Sequence, residues 1–159
     1  MYNLDEMVAR IYKELEIEAG KIYMHTICAK LNIILRVCEE ESSHMVYRGT
    51  YYIIVDSRNS PQAQTFDFAH ELAHFLLHDG NQRKSSRVYI EYQERQANNF
   101  AERFLVPMFL LRQLELPNDR ADAAYLVEKT FKVDAELAKK RLALYERQLY
   151  EEYKNRYAW

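Results

Sequence analysis

Glycine and proline are scarce in this chain, with three of each in 159 residues. A fold built from many tight turns needs far more of both, so helices joined by few sharp turns are expected. Cysteine is scarcer still. Cys28 and Cys38 stand ten apart with no CxxC spacing, which excludes a disulfide scaffold and suits a reducing cytosol. Both read as small buried apolar groups. No apolar run approaches the roughly 18 residues that a membrane span needs. The first stretch, MYNLDEMVARIYKELEI, is charged throughout and lacks the apolar segment of a signal peptide, so a cytoplasmic protein is expected. The net charge of -2 argues against a partner held by bulk charge, nucleic acid above all. What is present is 48% hydrophobic and 29% charged residues, enough apolar material to pack one core.

Apolar residues at Leu4, Met7, Val8, Ile11 and Leu15 have helical spacing and predict a helix over 4–18. A second helix is expected over 21–32. The texture then changes to short β-branched runs at 33–38, 44–48 and 51–56, read as three strands, the last two a hairpin turned near Gly49. Ser60-Pro61 opens the next helix, with serine as N-cap and proline in the first turn. It should run to about His78 and stop at Asp79-Gly80. Residues 80–88 are polar and loop-like. Helical patterning resumes from about Tyr89 to Val106, stops at Pro107, and continues in a piece at 108–115 and two more over 119–159.

The segment TFDFAHELAHFLLHDG, Thr65 to Gly80, holds three of the five histidines. His70-Glu71-Leu72-Ala73-His74 has the spacing HExxH. Residues i and i+4 lie one turn apart on one helix face, so two imidazoles can converge on one zinc ion at about 2.0–2.1 Å. Glu71, beside the first histidine, is placed to take a proton from a water and not to reach the metal. His78 extends the row, but it stands about 12 Å from His70 along a straight helix, too far for one ion. It reads as a C-terminal residue facing the negative end of the helix dipole.

Two histidines leave a catalytic zinc short of a ligand. The next helix, IEYQERQANNFAERFLVP, places Glu91, Glu94, Asn98 and Glu102 within about 80° on a helical wheel. Ala97, Ala101 and Leu105 border this face, so it should point inward. Carboxylates on an inward face are costly without a cation. The third ligand is open among these glutamates on spacing alone.

HELAHFLLH followed by ERQANNFAERFLVP resembles the ImmA/IrrE family of bacterial and phage zinc metallopeptidases. The family pattern is HExxH, often with a further His four on, then ExxANxFA closed by a Leu and a Pro. The resemblance covers at least residues 50–110. The block here ends LVP where many members have LMP, an exchange of one apolar packing residue for another. The match implies His70, His74 and Glu94 as zinc ligands, Glu71 as general base, and Asn98 as a residue that orients a ligand histidine, much as in gluzincins. It implies an α+β zincin-like fold, helix-rich, with a small three-stranded sheet. It also implies a substrate, a helix-turn-helix repressor whose cleavage switches on phage, mobile-element or stress genes. The alternative is a non-proteolytic zinc-containing module that sequesters a repressor or toxin partner. Manganese or iron would suit the same donors. No tyrosine or histidine is assignable from the sequence to stabilise an oxyanion.

The whole chain, 1–159, reads as a single domain, with a zincin-like core over 1–118 and a helical C-terminal segment over 119–159. Residues 123–142 have the texture of a helix-turn-helix turning at Lys132-Val133-Asp134, with Asp134 as N-cap. Residues 120–159 hold nine basic and seven acidic side chains, too even a balance for direct DNA binding. Leu142, Tyr145, Leu149, Tyr153 and Tyr157 form a stripe that reads as a face packed on the domain. A docking stripe for the repressor or a second subunit is the sharper alternative. The oligomeric state is not encoded legibly.

Overall fold

The computed structural model describes residues 3–78 and 86–157. Helix α1 (Leu4–Leu15) is capped by Asn3, whose side chain accepts from the Asp5 amide at 3.1 Å. It buries Met7, Val8, Ile11 and Tyr12, members of one helical stripe. It ends at Leu15 and not at residue 18, because Glu16 takes a left-handed backbone (φ 56°) and turns its N–H onto the Tyr12 carbonyl. Helix α2 (Met24–Lys30) is also shorter than the 21–32 expected.

Three strands follow: β1 (Ile33–Cys38), β2 (Ser43–Tyr47) and β3 (Thr50–Asp56). Tyr47 pairs with Thr50, so Arg48 and Gly49 alone make the hairpin turn. Both have positive φ (49° and 78°), the geometry of a type I′ turn, which matches the twist of its strands. β1 does not join β2. It pairs in parallel with β3, giving the order β1-β3-β2. Ile53 and Val55 are fully buried, and the register sets His44 opposite Ile53 on that same buried face.

Helix α3 (Pro61–Leu77) starts as expected, with the Ser60 hydroxyl accepting from the Ala63 amide at 3.2 Å and Pro61 in the first turn. His78 is its C-cap. The predicted stop at Asp79-Gly80, and the loop as far as residue 85, lie outside the described residues. Helix α4 (Arg87–Leu105) begins earlier than Tyr89, because Ser86 caps it by accepting from the Tyr89 amide. Helix α5 (Met108–Leu111) is a single turn and not the longer piece expected. Helices α6 (Arg120–Phe131) and α7 (Ala135–Tyr157) complete the chain, and Asp134 accepts from the Leu137 amide at 2.8 Å as the N-cap of α7. The fold is helix-rich α+β with one small three-stranded sheet.

α3 lies between its two main neighbours, α4 and the sheet. Phe68, Ala69, Leu72 and Ala73 of α3 and Ala97, Phe100, Ala101 and Phe104 of α4 are fully buried. Alanines on both helices permit the close approach that short side chains need to meet across them. One buried cluster runs from Met7 to Ala138 and takes in Val127, Phe131, Val133 and Leu137. The C-terminal helices therefore share the core. Arg141, 1% exposed, adds a polar tie: its Nε donates to the Val106 carbonyl at 3.1 Å. Of the C-terminal stripe, Leu142 is buried and Tyr145 packs beside it. Leu149, Tyr153 and Tyr157 are exposed, so the packed-face expectation holds only for the first two members.

Phe104 is the pivot between α1 and α4. Its ring meets Tyr12 edge-on at 5.5 Å and stacks on Phe100 at 5.5 Å, while its carbonyl accepts the Tyr12 hydroxyl. Phe104→Ala is expected to cost about 3–5 kcal/mol, the transfer term plus a cavity that α1 cannot collapse into. Urea unfolding of the metal-free protein would check it, and a loss below about 1 kcal/mol would contradict it.

Candidate active site

The helical repeat carries His70 and His74 to one face of α3, and α4 lies alongside with Glu94 facing them. His70 Nε2 is 3.1 Å from Glu94 Oε2, His74 Nε2 is 3.3 Å from Glu94 Oε1, and the two Nε2 atoms are 3.2 Å apart. Three donors bound tetrahedrally at about 2.0–2.1 Å stand roughly 3.4 Å from one another, and these three side chains, each offering one ligand atom within 4.8 Å of the others, are close enough to share one small cation.

The hydrogen bonds behind the ligand atoms point the same way. Asn98 Oδ1 lies 2.9 Å from His70 Nδ1. A carbonyl oxygen only accepts, so His70 carries a hydrogen on Nδ1, and as a neutral ring it presents a bare Nε2 to Glu94. A lone pair facing a carboxylate is repulsive unless a cation lies between them. The donor set, two neutral imidazoles and one carboxylate, suits zinc. Among the other glutamates, Glu91 pairs with Arg87 at 3.0 Å and Glu102 with Lys140 at 2.5 Å. The structure brings Glu94 alone of the three to the histidines.

Burial holds the His74 imidazole far below its usual range, at about 3, and His44, His70 and His78 push the same way. His74 is thus neutral in the folded protein and protonates near 6.5 in the unfolded chain. The unfolded state binds more protons between these values. The stability due to neutral His74 is whole above pH 6.5 and is lost as pH falls toward 3, by up to about 1.4 kcal/mol per pH unit. Urea midpoints of the metal-free protein measured at pH 7, 6 and 5 should therefore fall in that order. Equal midpoints would refute it.

Glu71 is 8% exposed, and its Oε2 lies 2.5 Å from His44 Nδ1. His44 stacks on the His74 ring at 4.6 Å and on Tyr51 at 5.7 Å. His44, Glu71 and His74 form a second group of donor side chains within 4.8 Å. The 2.5 Å contact is a hydrogen bond and too short for two ligands of one zinc, so this group orients Glu71 and does not compete for the ion. The Tyr51 hydroxyl is buried without a partner among the described residues, and burial raises its pKa, with the Glu71 charge adding to it.

His44 is the residue that pattern reading missed. No motif spacing links it to HExxH, yet the hairpin carried a signal. Registering the strands on Arg48-Gly49 puts His44 opposite Ile53, on the buried face. A histidine there needs a polar partner, and Glu71 is that partner. His78 stands at the C-terminus of α3, as expected, and it also makes contacts that spacing did not indicate. Its ring turns back onto His74, Nδ1 to Nδ1 at 3.2 Å, on the side away from Glu94, and its Nε2 lies 3.1 Å from Gln96 Oε1.

Paired histidines on one helix and a carboxylate from the next, held in a helix-rich α+β frame, define a metallopeptidase-type domain. The profile of the IrrE N-terminal-like domain family, Peptidase M78, matches residues 28–143, and the chain belongs to this family of metal-dependent peptidases. The chain is 38% identical over 146 residues to the phage-like element PBSX protein XkdA of Bacillus subtilis (strain 168), covering 91% of this chain and 74% of that protein. It is 34% identical over 148 residues to the uncharacterized protein YqaB of the same strain, covering 92% and 86%. A solved structure titled Mycobacterium tuberculosis transcriptional regulator shares the fold at a TM-score of 0.65 and 21% identity. That likeness covers 90% of this chain and 56% of the longer one. No helix among the described residues is long and apolar enough to cross a membrane.

Proposed function

We propose that this chain is a zinc metalloendopeptidase that cleaves and inactivates a helix-turn-helix transcriptional repressor of a phage or mobile element, in the cytoplasm. The convergence of His70, His74 and Glu94 at 3.1–3.3 Å supports this most directly. The phage-like element in the name of one relative fits the proposed setting. The chain acts as one domain, and direct DNA contact has no part in its action.

His70, His74 and Glu94 would hold the ion, and Asn98 would keep His70 in the ligating tautomer. When bound there, zinc would supply Lewis-acid polarisation of a peptide carbonyl and would make water more acidic. Glu71 accepts a proton as water attacks the scissile carbonyl and hands it to the amine as the C–N bond breaks. His44 grips one oxygen of Glu71 and leaves the other for the water.

The test incubates helix-turn-helix repressors of the phage or mobile element that carries this gene with the zinc-loaded protein and follows them by intact-mass spectrometry. Two fragments whose masses sum to the repressor plus one water are expected. An uncut repressor that co-elutes with this chain would replace the peptidase with the sequestering module.

A further inference from the structure

We infer that His78 and Gln96 are positioning residues, which hold His74 in the one tautomer that presents a bare Nε2 to His70 and Glu94. This deepens the metallopeptidase proposal and, as to the ion, rests on it.

The polarity is set at the far end of a short chain of hydrogen bonds. Gln96 Nε2 donates to the Tyr92 hydroxyl at 2.8 Å, which turns Gln96 Oε1 toward His78. That oxygen lies 3.1 Å from His78 Nε2 and can only accept, so His78 carries its hydrogen on Nε2. His78 Nδ1 is then a lone pair. It faces His74 Nδ1 at 3.2 Å and accepts its hydrogen. A neutral imidazole protonated on Nδ1 is bare on Nε2, the atom 3.3 Å from Glu94 Oε1. The reverse polarity would set a hydrogen on His74 Nε2, inside the triangle where the cation belongs.

The arrangement parallels that of His70. Asn98 of α4 takes the Nδ1 hydrogen of His70 directly, at 2.9 Å. His74 lies deeper, 3% exposed, and its Nδ1 reaches α4 only through His78. Glu94, Gln96 and Asn98 thus serve the site from one short run of α4. The spacing of His78 follows as well. Four residues past His74 its ring falls on the Nδ1 side, and as C-cap it is free to turn back.

The test uses the full chain and two readouts. In the metal-free protein, long-range proton–nitrogen NMR of the imidazoles should show His74 protonated on Nδ1 and bare on Nε2. His78→Ala should give a mixture of tautomers. Zinc affinity, measured by competition with a chromophoric chelator, should weaken about 10–100-fold in His78→Ala and in Gln96→Leu, the usual cost of losing the partner of a ligand histidine. His78→Gln, whose carbonyl can accept from His74, should recover part of the loss. Circular dichroism of each variant separates misfolding from lost orientation, and Gln96→Leu carries the test if His78→Ala does not fold. Unchanged tautomer and zinc affinity in both folded variants would overturn the assignment. The expected tautomers in a wild-type protein that binds no zinc would sustain the hydrogen-bond chain and sink the metal site instead. Zinc bound with these affinities but no repressor cut would sink only the peptidase.

Discussion

Glu71→Gln is expected to stop repressor cleavage while one zinc per chain remains bound. Glutamine has the shape of glutamate and can still accept from His44 through its carbonyl, so the packing around this 8% exposed side chain survives. What is lost is basicity. Glutamine cannot take a proton from water or return one to the leaving amine. General acid–base groups contribute about 10²–10⁴ in rate, and in the proposed mechanism one carboxylate serves both transfers, so the loss should reach the top of that range or beyond. Single-turnover cleavage followed by intact mass, with zinc measured on the same sample, would decide it. Full activity in the variant would rule out the peptidase mechanism. Loss of zinc with loss of activity would mean that Glu71 holds the ion, in place of Glu94.

Glu94→Ala is expected to abolish tight zinc binding, whereas Glu91→Ala and Glu102→Ala should leave it intact. The three glutamates share a helix face, but their partners differ. Glu91 is exposed and engaged by Arg87, and Glu102 by Lys140. Glu94 alone meets both imidazoles. Removing a direct ligand should cost more than the roughly 10–100-fold typical of an orienting partner. The remaining two neutral histidines would also lose the one negative charge that offsets the cation. Titration with a zinc chelator reads the difference. Wild-type affinity in Glu94→Ala would refute the assignment.

Much of this site was legible in local pattern. The HExxH spacing needs only a helix to bring two histidines together, and the Ser60-Pro61 cap with the apolar run behind it specifies that helix. The hairpin was legible too, since Gly49 supplies a residue at ease with positive φ. Element ends were less so. α1 stops at Leu15 because Glu16 adopts a left-handed backbone that apolar spacing does not encode. α5 is one turn long, although the apolar texture of its sequence continues.

The lateral arrangement was beyond such reading. Nothing local says that β1 skips its neighbour and pairs in parallel with β3, leaving β2 at the edge. The packing of the β2–β3 hairpin against α3 carries His44 to Glu71 and His74, in contacts between residues far apart in sequence. The choice among three glutamates on one face likewise waited on how α4 lies against α3, which the buried alanines of both helices help set. By itself the sequence determined the helices, the strands, and the pair of histidines with a glutamate between them, because each depends on residues within a turn or two. The tertiary structure alone decided which carboxylate meets those histidines, which histidine grips Glu71, and which way the hydrogen bonds behind His70 and His74 point. Those depend on where separate elements come to rest, and packing of the whole chain sets that.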